Sequence, residues 1–220
     1  MSALRIATLI AAVLATGLVA GVFYAYAISV MPALNRTDDR TIIDVMQKIN
    51  VVIINPWFMI GFLGTVGFSV LAAALHLGKD HRTTLIWIGI ALALNVIAFA
   101  VTSGLNVPLN DALAAAGDPA QIGDPAAVRA DYESAWVRWN IVRAVLHTLA
   151  FLVLCGALFA AGVQHGKGEA KAATVAATGQ YAVPQAASQG HGFTARQVMG
   201  HYEGAPYAPV RPHLPAQRAY

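Results

Sequence analysis

The first part of the chain decides the fold, because residues 6–35 read IATLIAAVLATGLVAGVFYAYAISVMPALN and contain no Asp, Glu, Lys or Arg. A helix needs roughly 20 apolar residues to cross the hydrocarbon core of a membrane, and a charge left in lipid is costly. Three more charge-free runs follow, at residues 49–78, 83–110 and 144–166. Together the four runs predict four transmembrane helices, at about 4–28, 56–77, 83–104 and 141–163.

The composition agrees with a membrane protein. The 220 residues are 57% hydrophobic and 11% charged, against about 25% charged in a typical soluble domain. The net charge is +3 with scattered basic residues, which argues against nucleic acid as a partner, because phosphate binding needs clustered Lys and Arg. The single cysteine, Cys155, allows neither an intrachain disulfide nor a cysteine metal cluster.

The first span has an alternative interpretation as a cleaved signal peptide, since Ala25-Tyr26-Ala27 resembles a small-residue cleavage site. Its apolar stretch is longer than the usual 7–15 or so residues of a signal sequence, which favours an uncleaved anchor. The GxxxG motif from Gly17 to Gly21 favours close helix packing within the bundle. A homodimer face is the alternative interpretation of that motif.

The segments between the spans carry helix-start signals. Loop one, residues 31–55, contains a capping-box-like Thr41-Ile-Ile-Asp44. Asn55-Pro56 and Asp124-Pro125 each combine an N-cap with a proline at the first helical position, so they predict where the second and fourth helices begin. Apolar residues at helical spacing in loop one predict a short amphipathic helix on the membrane surface: Ile42, Ile43, Met46, Ile49 and Ile53.

The predicted fold class is therefore all-α, a four-transmembrane-helix antiparallel bundle with a surface amphipathic helix in loop one and a disordered C-terminal tail. The transmembrane domain is expected to cover residues 1–163. Residues 164–220 are rich in Ala, Gly, Pro, Gln and His, cannot bury a core, and predict the disordered tail. We expect a multi-pass protein of the plasma membrane with both termini cytoplasmic, although Lys and Arg near the spans do not decide the orientation.

Polar side chains concentrate at one end of the predicted bundle. On the fourth helix, Trp136, Asn140, Arg143 and His147 are spaced 4, 3 and 4 residues apart, so they form one stripe on one face. Ionisable residues inside a membrane usually face the bundle interior and are functional candidates. The alternative is that the tryptophans anchor the helices at the interface and that Arg143 reaches out to phosphate head groups. The convergence of several polar residues at one depth favours a site.

Metal and haem chemistry is not predicted. The sequence contains no HExxH, CxxC or clustered-carboxylate motif. By the helical rise, His147 and His76 lie about 20 Å apart along the bundle, so they cannot share one haem iron. We expect no cofactor and no metal.

Three motifs resemble the anthrone-oxygenase-like family of small four-helix membrane proteins. They are the Asn-Pro at residues 55–56, Asn-Val-Pro-Leu-Asn at 106–110, and Trp-Val-Arg-Trp-Asn-Ile-Val-Arg at 136–143. The resemblance covers about residues 1–163. It implies cofactor-independent oxidation of an anthrone to an anthraquinone by dioxygen, in aromatic polyketide assembly.

The chemistry of that reaction suggests roles for the polar residues. His147 is the candidate general base, and the candidate donors to an oxyanion are Arg143, Asn140 and Asn106. The candidate substrate-binding residues are Trp136, Trp139, Trp57, Tyr24 and Asn110. The expected partners are a hydrophobic aromatic small molecule, dioxygen and the lipid bilayer, with a homo-oligomer left open. The alternative is a non-enzymatic membrane protein that binds or moves a hydrophobic metabolite or supports a partner complex.

Overall fold

The computed structural model describes residues 3–180 of the chain. The described part consists of helices joined by short connections, without strands, and four of its segments are long and apolar enough to cross a membrane, as predicted: Ala3–Leu34, Pro56–Leu75, Lys79–Ala115 and Pro125–Thr178. The helices are α1 (Ala3–Ala25), α2 (Met31–Leu34), α3 (Asp39–Val52), α4 (Pro56–Leu75), α5 (Arg82–Val101), α6 (Val107–Ala115) and α7 (Pro125–Gln180).

Two helix starts lie where the Asn-Pro and Asp-Pro pairs predict them. The Asn55 side chain accepts a hydrogen bond of 3.1 Å from the Phe58 amide at the start of α4. The Asp124 carboxylate accepts one of 3.1 Å from the Ala127 amide at the start of α7. The prolines that follow cost no hydrogen bond, because the first helical amides have no partner in the helix.

The capping box predicted at Thr41 is wrong. Helix α3 begins three residues earlier, and Asp38 is its N-cap. The Asp38 carboxylate accepts from both the Thr41 amide (3.0 Å) and the Thr41 hydroxyl (2.6 Å), and these bonds lower the pKa of Asp38. Because a depressed pKa stabilises the helix only while the carboxylate is ionised, this contribution is present at neutral pH and is lost as the pH falls through that lowered value.

The bundle interior is packed with small side chains. Alanines and a few larger aliphatic residues from α1, α4, α5 and α7 form one buried cluster. A methyl group at Gly17 would lie 2.9 Å from the Phe151 ring, and one at Gly156 would lie 3.1 Å from the Trp87 ring. These close approaches place Gly17 within the bundle, as the packing interpretation predicts, whereas Gly21, the second glycine of the GxxxG motif, is exposed with no atom within 4 Å of an added methyl group.

The first half of the apolar face of helix α3 packs against protein. Its Ile42, Ile43 and Met46 are buried in a second cluster, together with Leu113 of α6 and Trp136 of α7. The reason is that α7 starts far outside the apolar run, so its first turns offer a protein surface for α3 to cover. The amphipathic helix is thus confirmed, and its apolar partner is protein.

Helices α2, α3 and α6 form a cap over one end of the bundle, and polar contacts hold this cap in place. Arg129 of α7 contacts the Asp39 carboxylate at 2.9 Å and the Glu133 carboxylate at 2.5 Å. Its guanidinium also donates to the Asn35 side chain at 3.0 Å and to the Thr37 carbonyl at 3.2 Å. One side chain therefore ties the start of α7 to the α2–α3 connection.

The fourth helix is longer than predicted. It continues to Gln180, so residues 164–180, expected as the start of the tail, are helical. Of the predicted tail, residues 181–220 lie outside the described residues. The chain divides into two units at Val175, and of the second unit only the end of α7, up to Gln180, is described.

We expect Arg129→Gln to loosen the cap. The substitution leaves the Asp39 and Glu133 carboxylates without their cation, and a loss of about 1–2 kcal/mol is typical of a partly buried charged network. Amide hydrogen exchange in α3 should accelerate. The control is Lys48→Gln, which breaks the exposed Lys48–Asp44 pair and should change exchange little. Equal exchange rates in the two variants would contradict the role of Arg129.

Candidate functional site

A cavity of about 240 Å³ lies at one end of the bundle, beneath the cap formed by α2, α3 and α6. Helices α1, α3, α4, α6 and α7 contribute to its wall, as do the turns that follow α1 and α5. Its polar lining is Tyr26, Asn50, Thr102, Asn110, Asn140 and Arg143. Three of the four residues of the predicted stripe, Trp136, Asn140 and Arg143, therefore line a common hollow.

Two π-helical turns shape this end of the bundle, Tyr26–Val30 after α1 and Thr102–Asn106 after α5. Each is followed within two residues by a proline, Pro32 or Pro108. A proline ring clashes with the carbonyl four residues earlier in a regular helix, and the wider turn relieves that clash. The turns place Tyr26 and Thr102 on the cavity wall.

Arg143 is the cation of the cavity and is only 5% exposed. Its Nη2 donates to the Asn140 side-chain oxygen at 3.0 Å. Its guanidinium carbon lies 4.1 Å from the centre of the Phe23 ring and 5.5 Å from that of Trp136. Among the described residues, its Nε has no hydrogen-bond partner and no carboxylate forms an ion pair with it. The side chain is a buried positive charge with a free donor, which is suited to an anionic oxygen.

Three asparagines fix the geometry around Arg143. The Asn140 amide donates to the Phe23 carbonyl at 3.0 Å, which joins α7 to α1. The Asn106 amide donates to the Trp136 carbonyl at 3.3 Å, and its buried oxygen has no partner in the described part of the chain. The Asn110 oxygen accepts from the Trp136 indole at 2.8 Å. Asn110 therefore sets the orientation of the Trp136 ring at the cavity.

His147 lies deeper in the bundle and does not line the cavity. Its Nδ1 is 3.0 Å from the Asn95 side-chain oxygen. The Asn95 amide nitrogen donates to the Thr65 carbonyl at 3.1 Å and to the Thr16 hydroxyl at 3.2 Å. Since a carbonyl only accepts, the Asn95 oxygen must face the imidazole, and Nδ1 carries the proton in neutral His147. The lone pair is then on Nε2, which is buried without a partner among the described residues.

Phe23 separates His147 from the cavity. The Phe23 ring lines the cavity and its centre lies 5.5 Å from that of the imidazole. The same ring is the one on which Arg143 is stacked. A ligand in the cavity therefore meets the cation directly and the imidazole only beyond this ring.

Three residues predicted to stack on a substrate lie outside the cavity. Tyr24 is 55% exposed and Trp57 is 87% exposed, while Trp139 lies beneath the Arg138 guanidinium at 5.6 Å. Neighbouring helical residues point about 100° apart, so Tyr24 faces outward where Phe23 faces inward. Of the predicted residues, Trp136, Asn110, Asn140 and Arg143 line the cavity, and Asn106 is buried beside Trp136.

Sequence analysis missed the aromatic wall. Phe58 and Phe62 of α4 stack with ring centres 5.6 Å apart, and Phe23 meets Phe58 edge to face at 6.4 Å. All three line the cavity. Phenylalanine is common throughout membrane spans, so only the spacing of four between Phe58 and Phe62, level with the polar stripe, was available as a signal.

The site belongs to an all-helical integral membrane protein with a buried cation at one end of its bundle. A family model for anthrone oxygenase matches residues 55–153, which confirms the resemblance over that range. The match covers α4, α5, α6 and α7 through the polar stripe, and leaves out Phe23 and Tyr26. No curated protein and no solved structure matches the chain. Among the described residues, no group of three or more His, Cys, Asp or Glu side chains could hold a metal ion.

We expect Asn95→Ala to destabilise the bundle strongly for a single substitution. Asn95 connects α5 to α1, α4 and α7, and its loss leaves buried donors and acceptors unpaired at about 1–3 kcal/mol. Thermal unfolding in detergent, followed by circular dichroism, measures the effect. Val96→Ala, at the adjacent half-exposed position, is the matched control. A melting temperature for Asn95→Ala equal to that of Val96→Ala would contradict this role.

Proposed function

We propose that the cavity binds a flat hydrophobic aromatic compound with an acidic oxygen. In this proposal the compound is an anthrone-like substrate, which the protein oxidises to a quinone with dioxygen. The observation that carries the proposal is the buried guanidinium of Arg143 on the wall of a cavity lined by aromatic rings, with no carboxylate partner among the described residues. The anthrone oxygenase family match supports the type of substrate. The proposed setting is the plasma membrane with both termini cytoplasmic.

The reaction consumes one dioxygen and releases one water. The methylene carbon opposite the anthrone carbonyl loses a proton, and the electron pair of the broken C–H bond delocalises onto the carbonyl oxygen. The resulting anion reacts with dioxygen and forms a C–O bond, and the terminal oxygen takes up the proton removed in the first step to give a hydroperoxide. Loss of the second methylene proton with cleavage of the O–O bond then gives the second carbonyl and water.

Arg143 acts on the charge that develops in the first step. As the proton leaves, negative charge accumulates on the substrate oxygen, and a cation held in place on the cavity wall stabilises the transition state more than the ground state. Asn140 holds the guanidinium in place. Asn106 holds the backbone of Trp136 through its amide, and Trp136 provides a ring face for stacking.

His147 is the proposed base. Neutral imidazole with its lone pair on Nε2 accepts a proton without further rearrangement of its Asn95 bond. Because the Phe23 ring stands between His147 and the cavity, proton transfer requires this ring to turn aside. The base role is therefore separable from the oxyanion role and is tested on its own by His147→Ala.

A second function is favoured by one feature of the lining. Among the described residues, the titratable side chains of the lining are Tyr26 and Arg143, and no carboxylate or imidazole of this part of the chain lines the cavity. A binding or carrier protein for a hydrophobic metabolite needs only the cation and the aromatic wall. It predicts saturable binding of the aromatic compound with no oxygen consumption.

We expect Arg143→Gln to reduce the catalysed rate about 10²–10³-fold, the usual cost of losing an oxyanion donor. The measurement is oxygen uptake with emodin anthrone by detergent-purified protein, after subtraction of spontaneous oxidation. The matched control is Arg138→Gln, an exposed arginine on the same helix, which should keep the wild-type rate. Wild-type rates in both Arg143→Gln and His147→Ala would refute the enzymatic proposal. Ligand binding without oxygen uptake by the wild type would favour the carrier function.

A further inference from the structure

A groove of about 330 Å³ lies beside the cavity, between the π turn after α1 and the second half of α3. Its apolar lining includes Val45, Ile49, Val52 and Ile53, and the π turn contributes Tyr26. Asp44 and Lys48, which also line it, form an ion pair of 2.6 Å with both side chains exposed. The groove is therefore apolar inside and charged on one side.

The groove and the cavity share a wall of three side chains. Tyr26, Ile49 and Ile53 line both. All three are half-buried, so each has room on one side to change rotamer, and such changes take place in picoseconds to nanoseconds at exposed positions. The groove and the cavity are thus separated by side chains that both spaces share.

The surroundings of the groove belong at the boundary of the membrane. Val51, Val52 and Ile54 are 70–74% exposed and Trp57 is 87% exposed, all at the corner between α3 and α4. Such a contiguous apolar surface is unfavourable in water, and exposed tryptophan is typical of the membrane interface. The charged side chains of Asp44 and Lys48 are suited to the depth of the lipid head groups.

From these three observations we infer that the groove is the lateral entrance of the site, through which a hydrophobic aromatic compound passes from the bilayer interface into the cavity. Tyr26, Ile49 and Ile53 form its gate. The inference rests on the proposed function only for the identity of the compound. The route is set by the shared wall and the exposed apolar corner.

The test measures how fast a reactive aromatic probe passes from the bilayer into the cavity. Thr102 lines the cavity and not the groove, so Thr102→Cys, made in a Cys155→Ala background, places a thiol inside. The protein is reconstituted in phosphatidylcholine vesicles and treated with N-phenylmaleimide, and the adduct is followed by mass spectrometry. Labelling in detergent after unfolding corrects for intrinsic thiol reactivity.

We expect Ile49→Trp and Ile53→Trp to slow the labelling of that thiol about tenfold or more, since a small increase in a barrier changes a rate exponentially. Ile49→Ala should accelerate it by widening the gate, which keeps the test valid if a tryptophan variant misfolds. The matched control is Val51→Trp, an exposed position on α3 that lines neither space, and it should leave the rate within about twofold.

The outcomes separate the entrance from the enzymatic proposal. Labelling that is absent in the wild-type background, or that is insensitive to Ile49 and Ile53, overturns the entrance and leaves the oxygen-uptake result untouched. Gate-dependent labelling together with no oxygen uptake supports the entrance and refutes the oxidation.

Discussion

A positive charge held inside an apolar bundle is the constraint on which this structure depends. Placing an arginine within a membrane span costs about 2.5–3.5 kcal/mol even on the most lenient scale. The ring contacts of Arg143 with Phe23 and Trp136 each return about 0.5–2 kcal/mol, and the Asn140 bond adds about 1.5–3 kcal/mol. These gains are of the same size as the cost. The surrounding residues therefore act together, because removing any one of them leaves the cost of burying the Arg143 charge less well offset.

The same principle explains the second polar group deeper in the bundle. Lipid offers no hydrogen bonds, so Asn95 and His147 must satisfy each other and the hydroxyl and carbonyl groups of neighbouring helices. Asn95 reaches Thr16 and Thr65 as well as His147. A single amide thus links all four membrane-spanning helices at one level, between the alanine-rich core and the cavity.

The sequence predicts the fold well because lipid makes charge patterning decisive. The four spans, the starts of α4 and α7 and the inward stripe of Asn140 and Arg143 all follow from where charges, caps and apolar residues stand. The π turns were not predicted, although Pro32 and Pro108 are their visible cause.

The details of the site depend on rotations that a sequence does not define. Tyr24 and Phe23 are adjacent aromatic residues, and only the helix orientation decides that Phe23 enters the site. Helix α3 shows the same limit, because its amphipathic pattern is equally suited to a membrane or to the protein surface that α7 provides. Trp57 and Trp139 were misplaced for this reason, since tryptophan is expected both at an interface and around an aromatic ligand.

The two π turns both contribute to the cavity wall, through Tyr26 and Thr102. On one side of them, alanine contacts and the close approach at Gly17 pack the helices tightly, so we expect that half of the bundle to be rigid. On the other side, helix geometry is already interrupted in two of the four crossing segments, and wide turns of this kind tolerate small changes in helix direction. The cavity lies at the end of the bundle where the π turns stand, so a small change of helix direction there alters the width of the site without repacking the alanine-rich core.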